Sequence, residues 1–394
     1  MNIILFDDCH REQLLHLTFT RPQSEIRVGI LTLKEKWEKH LQSKASYLTQ
    51  AYLAKKYPLH IENNNWFISA SLCPDDALIR EIKQLKTGQT LIKNGIPLAH
   101  CLSSLPNDIN TYCGEKVEYS NDCLMITHLW DIFYHNETEL RADFALLTKN
   151  RTSEVLSSSN TLIGDAKDIF IEEGAVVEAS IINVKDSKIY IGKNAEVMEG
   201  SMLRGSIALC EHAQIKMGAK IYGATTIGPY SKVGGEVNNV VIFGYSNKAH
   251  DGFFGNSVIG EWCNIGADSN TSNLKNNYTE VKLWNYPQRK FEKTGLIFCG
   301  LIMADHVKCG INTMFNTGSV IGVASNVFGA DYMPNFVGCF KWGGAKSIND
   351  CQIGKFFPIA ESVFQRRHKN FEETEKEILL EVYNQAKSMN EPQF

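Results

Sequence analysis

A six-residue repeat of apolar side chains constrains the fold of this chain more than any other feature. It runs without a break through Ile191, Val197, Leu203, Leu209, Ile215, Ile221, Ile227 and Val233. Four residues after each of the first seven positions lies a second line of mostly small residues, such as Ala195 and Ser201. A period of six fits neither a helix nor a single strand. It is typical of a parallel β-helix, in which three short strands form each coil and stacked aliphatic residues fill the interior.

The repeat slips in phase once and is interrupted once. After a slip of two residues around Gly234-Gly235, the predicted inward positions are Val241, Asn247, Phe253, Ile259 and Ile265. The period returns between Ile297 and Val327. The polar segment 270–294 between these runs breaks the period, so we predict that it loops out of the coil. Loops that interrupt a regular scaffold commonly carry function.

The 394 residues exceed what one ordinary core accommodates, and the repeat divides them into parts. Residues 1–152 indicate a mixed α/β domain, with a short strand at Asn2–Phe6 and helical spacing over 32–53. Residues 161–365 are predicted to form the β-helix. Residues 368–390 carry an amphipathic stripe typical of a closing helix.

Charge, termini and cysteines exclude several classes of protein. The net charge is −4 with no basic block, which argues against nucleic-acid and membrane partners. The N-terminus lacks the positive flank and long apolar run of a signal peptide. The eleven cysteines are scattered without a C-x-x-C pair, as expected of reduced thiols. We therefore expect a cytoplasmic protein.

One motif within the repeat resembles a known family. Residues 246–255 read SNKAHDGFFG and are followed by Ile259-Gly260, then by the NIGA of residues 264–267, and then by Ser272-Asn273. This order and spacing resemble the acetyltransferase half of the bifunctional N-acetylglucosamine-1-phosphate uridylyltransferases and their archaeal sugar-phosphate relatives, over about 90 residues. The resemblance implies a left-handed β-helix and acetyl-CoA, or another acyl-CoA, as donor. It also implies a sugar phosphate or sugar nucleotide as acceptor.

The resemblance further implies that His250 is the general base that takes a proton from the attacking sugar amine. Chemistry supports this role, because imidazole is the side chain whose ordinary pKa lies nearest neutral pH. A structural role at a coil corner is the alternative. The other residues implied at the substrate site are Asn264, Asn273, Lys248, Phe253 and Lys216. Turn formation explains the two asparagines equally well, and Phe253 stands where the family has a tyrosine. Lys341, Arg366, Arg367 and Lys369 are candidates for binding the phosphates of coenzyme A.

The N-terminal part resembles sugar nucleotidyltransferases through Leu17–Pro22, which reads LTFTRP. The family's glycine-rich phosphate loop is replaced by residues 4–11, ILFDDCHR, which contain no glycine. Without glycine, the backbone amides lose their close approach to phosphate. Arg11, Arg21 and Arg27 are candidates to bind a nucleotide instead. Asp7 and Asp8 are candidates to hold Mg²⁺ beside a nucleoside triphosphate, although capping and turn roles account for aspartates there as well.

Three other functions remain open at this point. Besides an acyltransferase, the chain could be a sugar-1-phosphate nucleotidyltransferase only, a non-catalytic regulatory relative, or a zinc enzyme like the γ-type carbonic anhydrases, with His212, His250 and His306 as ligands across a trimer seam. Hexapeptide β-helices pack side by side, so we expect a homotrimer with the site between subunits.

Overall fold

The structure is a computed structural model that describes residues 1–389, and it divides into two compact units. Unit 1 comprises Met1–Ile26, Leu31–Leu129 and Glu373–Leu379. Unit 2 comprises Arg27–Ile30, Trp130–Glu372 and residues 380–389. Asn390, the last residue of the predicted closing helix, lies outside the described residues.

Unit 1 is built on one mixed sheet, as the sequence predicts for a nucleotidyltransferase-like domain. Its strands are β1 (Asn2–Phe6), β2 (Ala45–Leu48), β3 (Asn65–Ser69), β4 (Gln89–Lys93), β5 (Ile96–Leu102) and β6 (Glu115–Glu118). The strand order is β2-β1-β3-β5-β4-β6, and β1 pairs with both neighbours in parallel. Buried aliphatic residues such as Ile3 and Leu5 are packed beneath helix α2 (Asp76–Gln84).

Helix α1 (Leu33–Leu41) is shorter than the helical spacing over 32–53 predicts. It begins with a capping box between Thr32 and Glu35 and ends at Gln42, which has a left-handed backbone. The chain then forms β2 and a turn, so the second half of the predicted helix is not helical. The helix therefore ends at its left-handed C-cap residue, although weak helical spacing of apolar residues continues beyond that point.

Unit 2 is a left-handed parallel β-helix with three faces, preceded by helices α3 (Asp131–Tyr134) and α4 (Asn136–Thr148). Face A contains β7 (Thr161–Ile163), β10 (Ile181–Asn183), β13 (Met202–Arg204), β16 (Lys220–Tyr222), the first halves of β19 (Glu236–Gly244) and β21 (Phe253–Glu261), β23 (Asn270–Thr271) and β28 (Met314–Phe315). Face B contains β8 (Ile169–Ile171), β11 (Ile189–Ile191), β14 (Ile207–Leu209), β17 (Thr225–Ile227), the second halves of β19 and β21, β26 (Leu301–Met303), β29 (Ser319–Ile321) and β31 (Phe336–Val337). Face C contains β9 (Val176–Val177), β12 (Glu196–Val197), β15 (Gln214–Ile215), β18 (Lys232–Val233), β20 (Asn247–Lys248), β22 (Asn264–Ile265), β27 (Lys308–Cys309), β30 (Asn326–Val327), β32 (Lys341–Gly344) and β33 (Ser347–Asp350).

After the phase slip, the first three inward positions differ from the predicted ones by one residue, whereas Ile259 and Ile265 point inward as predicted. Leu209 and its paired residue Ile227 are 18 positions apart, whereas Ile227 and its partner Ile242 are only 15 apart. This short coil brings Ile242, Lys248 and Phe254 to inward positions. The repeat predicted Val241, Asn247 and Phe253 there. The correction follows from corner length, which the repeat does not report.

The inserted segment and the C-terminal helices complete unit 2. Residues 270–271 still belong to the coil, because β23 pairs with β28. The chain leaves the coil after them and forms the hairpin of β24 (Lys282–Asn285) and β25 (Lys290–Lys293) before β26 resumes. After the solenoid come α5 (Ile353–Gln365), which the sequence did not predict, and α6 (Glu373–Ser388), which lies within the predicted helix. No helix among residues 1–389 is long and apolar enough to span a bilayer.

Candidate active site

His250 lies in a groove of about 760 Å³ on face C, between the coils and helix α5. Asn264, on the neighbouring strand, lines the same groove, so the structure brings these two predicted residues together. Both side chains are exposed. One wall is apolar and contains Ile311, Ile359 and Val363. The groove therefore offers an exposed imidazole beside a carboxamide and an apolar wall.

The groove is strongly cationic. It is lined by the cations Lys232, Lys308, Arg366 and Arg367, and among the described residues no Asp or Glu lines it. Arg367 Nη2 donates to Asn247 Oδ1 at 2.7 Å, which fixes the guanidinium against face C. Burial and then repulsion by Arg367, Lys216 and Arg366 lower the pKa of Lys232. Such a cluster suits an anionic ligand.

Lys248, predicted to bind substrate, instead points into the solenoid and is 2% exposed. Its Nζ donates to the backbone carbonyl of His250 at 2.6 Å and to that of Asp251 at 3.2 Å. The buried ammonium thus satisfies two carbonyls of the corner that carries His250. Lys308 makes similar contacts at another corner, because its Nζ donates to the backbone carbonyls of Trp262 and His306.

Lys248→Met is expected to change how stability depends on pH. Burial lowers the pKa of Lys248 from 10.5 to about 8, although Asp251, Cys309 and Asp268 oppose the shift. Between pH 8 and 10.5 the unfolded chain keeps a proton that the folded chain has lost, so rising pH favours the fold. The free energy of unfolding of the wild type, relative to K248M, should therefore rise by up to about 3 kcal/mol across that window.

Urea denaturation at several pH values measures this difference. The matched control is K220M, at an exposed position on face A, which should follow the wild type. A K248M curve parallel to that of the wild type would show that the buried amine does not titrate in this range.

Gly252 determines the path of the corner after His250. Its φ is +113°, and a Cβ built on it would lie 2.0 Å from the Ser269 carbonyl oxygen. Gly252→Ala should therefore lower the free energy of unfolding by about 1–3 kcal/mol more than Gly329→Ala. Gly329 has a similar φ of +108° and no atom within 4 Å of the added Cβ, so it controls for backbone strain alone. Thermal melting of both variants measures the difference, and equal losses would refute the steric argument.

Phe253 and Asn273 lie on face A, away from the groove of His250. Asn273 Nδ2 donates to Asn256 Oδ1 at 2.8 Å, and both this amide and the Phe253 ring lie over Gly255. Lys216 lies beside Gly234, two coils before the strand of Lys248, and its charge acts on Lys232. Their predicted roles in substrate binding stay predictions.

The histidines of the zinc alternative lie on different corners. His212, Tyr230, Tyr245, Trp262 and His306 form one continuous stack of rings along a single corner. His212 and His306 are thus four coils apart, about 19 Å at the usual strand spacing, and cannot bind one ion within a chain. His250 lies at the next corner, beyond β20.

The predicted Mg²⁺ ligands of unit 1 are fully occupied by protein groups. Asp7 accepts from the Gln23 N–H at 2.8 Å and from Thr49 Oγ1 at 2.6 Å, and it pairs with Arg11 at 3.1 Å. Burial raises its pKa. Asp8 accepts from the hydroxyls of Ser69 and Ser71 and from His10. Burial opposes ionisation of Asp8, but these hydrogen bonds hold its pKa below the ordinary value.

These contacts do not fit a hydrated Mg²⁺, which needs carboxylate oxygens free to bind it. Asp8, Cys9 and His10 do place three potential ligand atoms within 4.8 Å of one another. A thiol and an imidazole suit softer metals than Mg²⁺, however. The surroundings of Asp7 and Asp8 therefore support no step of nucleotidyl transfer through Mg²⁺.

The three predicted nucleotide-binding arginines are buried, and Arg11 and Arg27 donate hydrogen bonds to groups of their own units. Arg11 Nη2 donates to the Thr18 carbonyl at 2.6 Å and to the Tyr52 hydroxyl at 3.0 Å. Arg27 belongs to unit 2, where it donates to the carbonyls of Phe243 and Ile30. Arg21 is 5% exposed. These hydrogen bonds occupy Arg11 and Arg27, and nucleotide binding by Arg21 stays a prediction.

Sequence reasoning missed Lys232 and Lys308 as groove residues. A signal for them exists, because Lys232, Asn247, Asn264 and Lys308 each precede an inward residue and pair across successive coils of face C. Tyr245, Trp262 and helix α5 were missed as well. These residues line the groove only because α5 packs back against face C, and no local sequence pattern predicts that packing.

The fold and the groove together define a class: a nucleotidyltransferase-like domain joined to a left-handed β-helix with a cationic groove. Residues 3–152 match the family model described as sugar nucleotidyl transferase. The chain is similar to a bifunctional sugar-1-phosphate nucleotidylyltransferase/acetyltransferase of Sulfurisphaera tokodaii, at 27% identity over 194 residues. It is also similar to the bifunctional protein GlmU of Methanocaldococcus jannaschii, at 34% identity over 87 residues.

These matches are partial. They cover 48% of this chain and 44% of the Sulfurisphaera protein, and 22% of this chain and 21% of the Methanocaldococcus protein. The chain therefore matches less than half the length of either curated relative. Among solved structures, the polysialic-acid-specific acetyltransferase NeuO is 14% identical with a TM-score of 0.26, covering 48% of this chain and 81% of its own.

Proposed function

We propose that the solenoid transfers an acyl group from a coenzyme A thioester to the amine of a sugar phosphate or sugar nucleotide. The observation that carries this proposal is the groove that holds His250 and Asn264 beside a cluster of Lys232, Arg366 and Arg367. Coenzyme A combines a polyanionic nucleotide with a long, weakly polar arm. The cationic cluster fits the first part and the apolar wall of the groove fits the second.

The reaction needs one general base, and in it one bond forms and one bond breaks. The acceptor amine attacks the thioester carbonyl carbon, a C–N bond forms and the C–S bond breaks. A nitrogen of the His250 imidazole accepts the proton lost by the amine and returns it to the departing thiolate. The carboxamide of Asn264 orients the acceptor or the thioester carbonyl beside it. The products are an amide and free coenzyme A.

The active form is proposed to be a cytoplasmic homotrimer in which a neighbouring copy covers part of the groove. The scattered free cysteines are consistent with a reducing compartment. Light scattering should give three times the chain mass of 44.3 kDa. A monomer that still turns over substrate would contradict an intersubunit site.

The direct test is chromatographic detection of coenzyme A release from acetyl-CoA in the presence of aminosugar phosphates and nucleotide-linked aminosugars. Turnover with one acceptor class is expected. Failure with every acceptor would favour a non-catalytic role. A metal count accompanies the assay, because one equivalent of zinc held by His212, His250 and His306 from different subunits would favour the carbonic anhydrase-like alternative.

A further inference from the structure

A second groove, of about 530 Å³, lies between the inserted hairpin and the later coils of the solenoid. Its volume is within the range of small-molecule sites. It is distinct from the groove of His250 and shares no residue with it. Its lining consists of Lys275, Lys282, Phe291, Asn316, Thr317, Pro334, Asn335 and Phe336.

The charge of this groove is positive. Lys275 and Lys282 line it, and no carboxylate of the described chain does. Lys275 Nζ donates to the Glu280 carbonyl at 2.7 Å, and neither lysine forms an ion pair with a described residue. The nearby Glu280 carboxylate is already engaged by Lys293 at 3.3 Å and by the Gly295 N–H. Two ammonium groups are thus left for an anion.

Aromatic rings form the other part of the groove. Phe336 stacks on Trp284 with centroids 4.4 Å apart, and Phe291 meets the same indole edge-on at 5.4 Å. These contacts hold both phenylalanine rings in place. Asn335 Nδ2 donates to the Thr317 carbonyl at 2.6 Å, which leaves its amide oxygen to accept from a ligand. Rigid rings beside amides and ammonium groups suit a planar base that carries a phosphate.

We propose that this second groove binds a nucleotide, with its base against the partly exposed ring of Phe291 and its phosphates on Lys275 and Lys282; Trp284 and the 2% exposed Phe336 support that ring from the protein side. The groove lies close in sequence and register to the corner of His250. Asn312 lies two coils from Asp251, through the pairs Asp268–Asp251 and Asn312–Ala267, and Asn316 follows about 13 Å along face A. The second groove therefore lies at the opposite edge of face A from the corner of His250, two coils further along the solenoid.

This arrangement also specifies the acceptor, in a step that rests on the proposed acyl transfer. The groove lies at the corner between faces A and B, because Asn316 follows β28 of face A and Phe336 belongs to β31 of face B. A sugar attached to the bound nucleotide is proposed to extend along face A toward the corner of His250. The acceptor is then a nucleotide-linked aminosugar rather than a free sugar phosphate. The binding site itself does not depend on that step.

Isothermal titration of the full-length protein with UDP and ADP tests the site, with inorganic phosphate and uridine as partial ligands. A diphosphate should bind, and K275A/K282A should weaken it at least about 10-fold through loss of charge-assisted contacts. F291A should weaken the nucleotide but not phosphate. The matched control is K290A, on the same hairpin but outside the groove lining, which should bind as the wild type does.

The outcomes separate this proposal from the acyl transfer. The site would be overturned if neither UDP nor ADP binds. It would also be overturned if K275A/K282A has a normal melting temperature and binds the diphosphate as tightly as the wild type does. Loss of nucleotide binding in R366A/R367A alone would place the ligand in the first groove and also overturn it. UDP binding at this site without turnover of any acceptor would retain the site and refute acyl transfer.

Discussion

His250→Ala is expected to lower the turnover number for acyl transfer by about 10²–10⁴-fold, the usual contribution of a positioned general base. The KM for acyl-CoA should change little, because the cationic cluster that we assign to the donor remains. The side chain is exposed, so the melting temperature should match that of the wild type. Steady-state kinetics with acetyl-CoA and the accepted aminosugar measure both parameters.

His212→Ala is the matched control for this experiment. It removes another partly exposed histidine of the same solenoid, which stacks on Tyr230 at a different corner. It should leave the turnover number unchanged. Full activity in H250A, or equal losses in both variants, would remove His250 from the mechanism.

R366A/R367A is expected to raise the KM for acyl-CoA about 100-fold, since two charge-assisted contacts of about 1.4 kcal/mol each are lost. The turnover number at saturating donor should be nearly unchanged, because neither arginine is assigned to the reacting atoms. The wild type should also lose affinity for coenzyme A as salt rises, and the variant should lose less. Titration at two salt concentrations measures this difference.

R204A controls for the removal of a positive charge. Arg204 is exposed on face A, outside the groove lining. The double variant also loses the Arg367–Asn247 hydrogen bond, so its melting temperature must be compared with that of the wild type. A well-folded R366A/R367A protein with unchanged KM would refute the assignment of the donor phosphates to this cluster.

The predictions that the structure corrects within the solenoid lie next to the corners between its strands. The repeat predicted Asn247 inside and left Lys248 for substrate, whereas the shortened coil turns Lys248 inward and leaves Asn247 to bind Arg367. A shift of one residue reverses the side of every residue on a strand. Corner length depends on local backbone conformation, such as the positive φ at Gly235 and Gly252, and the spacing of aliphatic residues does not encode it.

Only part of the candidate site could be predicted from the repeat. His250 and Asn264 are close because the strands β20 and β22 of face C are paired in successive coils. The hexapeptide repeat already predicts that neighbouring coils stack in this way. Phe253 and Asn273 follow closely in sequence but lie on another face. Arg366 and Arg367 reach the groove because α5 folds back along the coils, and that is a property of tertiary packing.

By itself, the sequence determined the parallel β-helix, the approximate place of the insertion and the motif around His250. A solenoid buries its core between neighbouring repeats, so its interior is written in a short period along the chain. Only the tertiary structure decided that Lys248 supports a corner, that the carboxylates of Asp7 and Asp8 are occupied, and that cations surround His250. These features depend on hydrogen bonds and packing between residues distant in sequence, which no local pattern specifies.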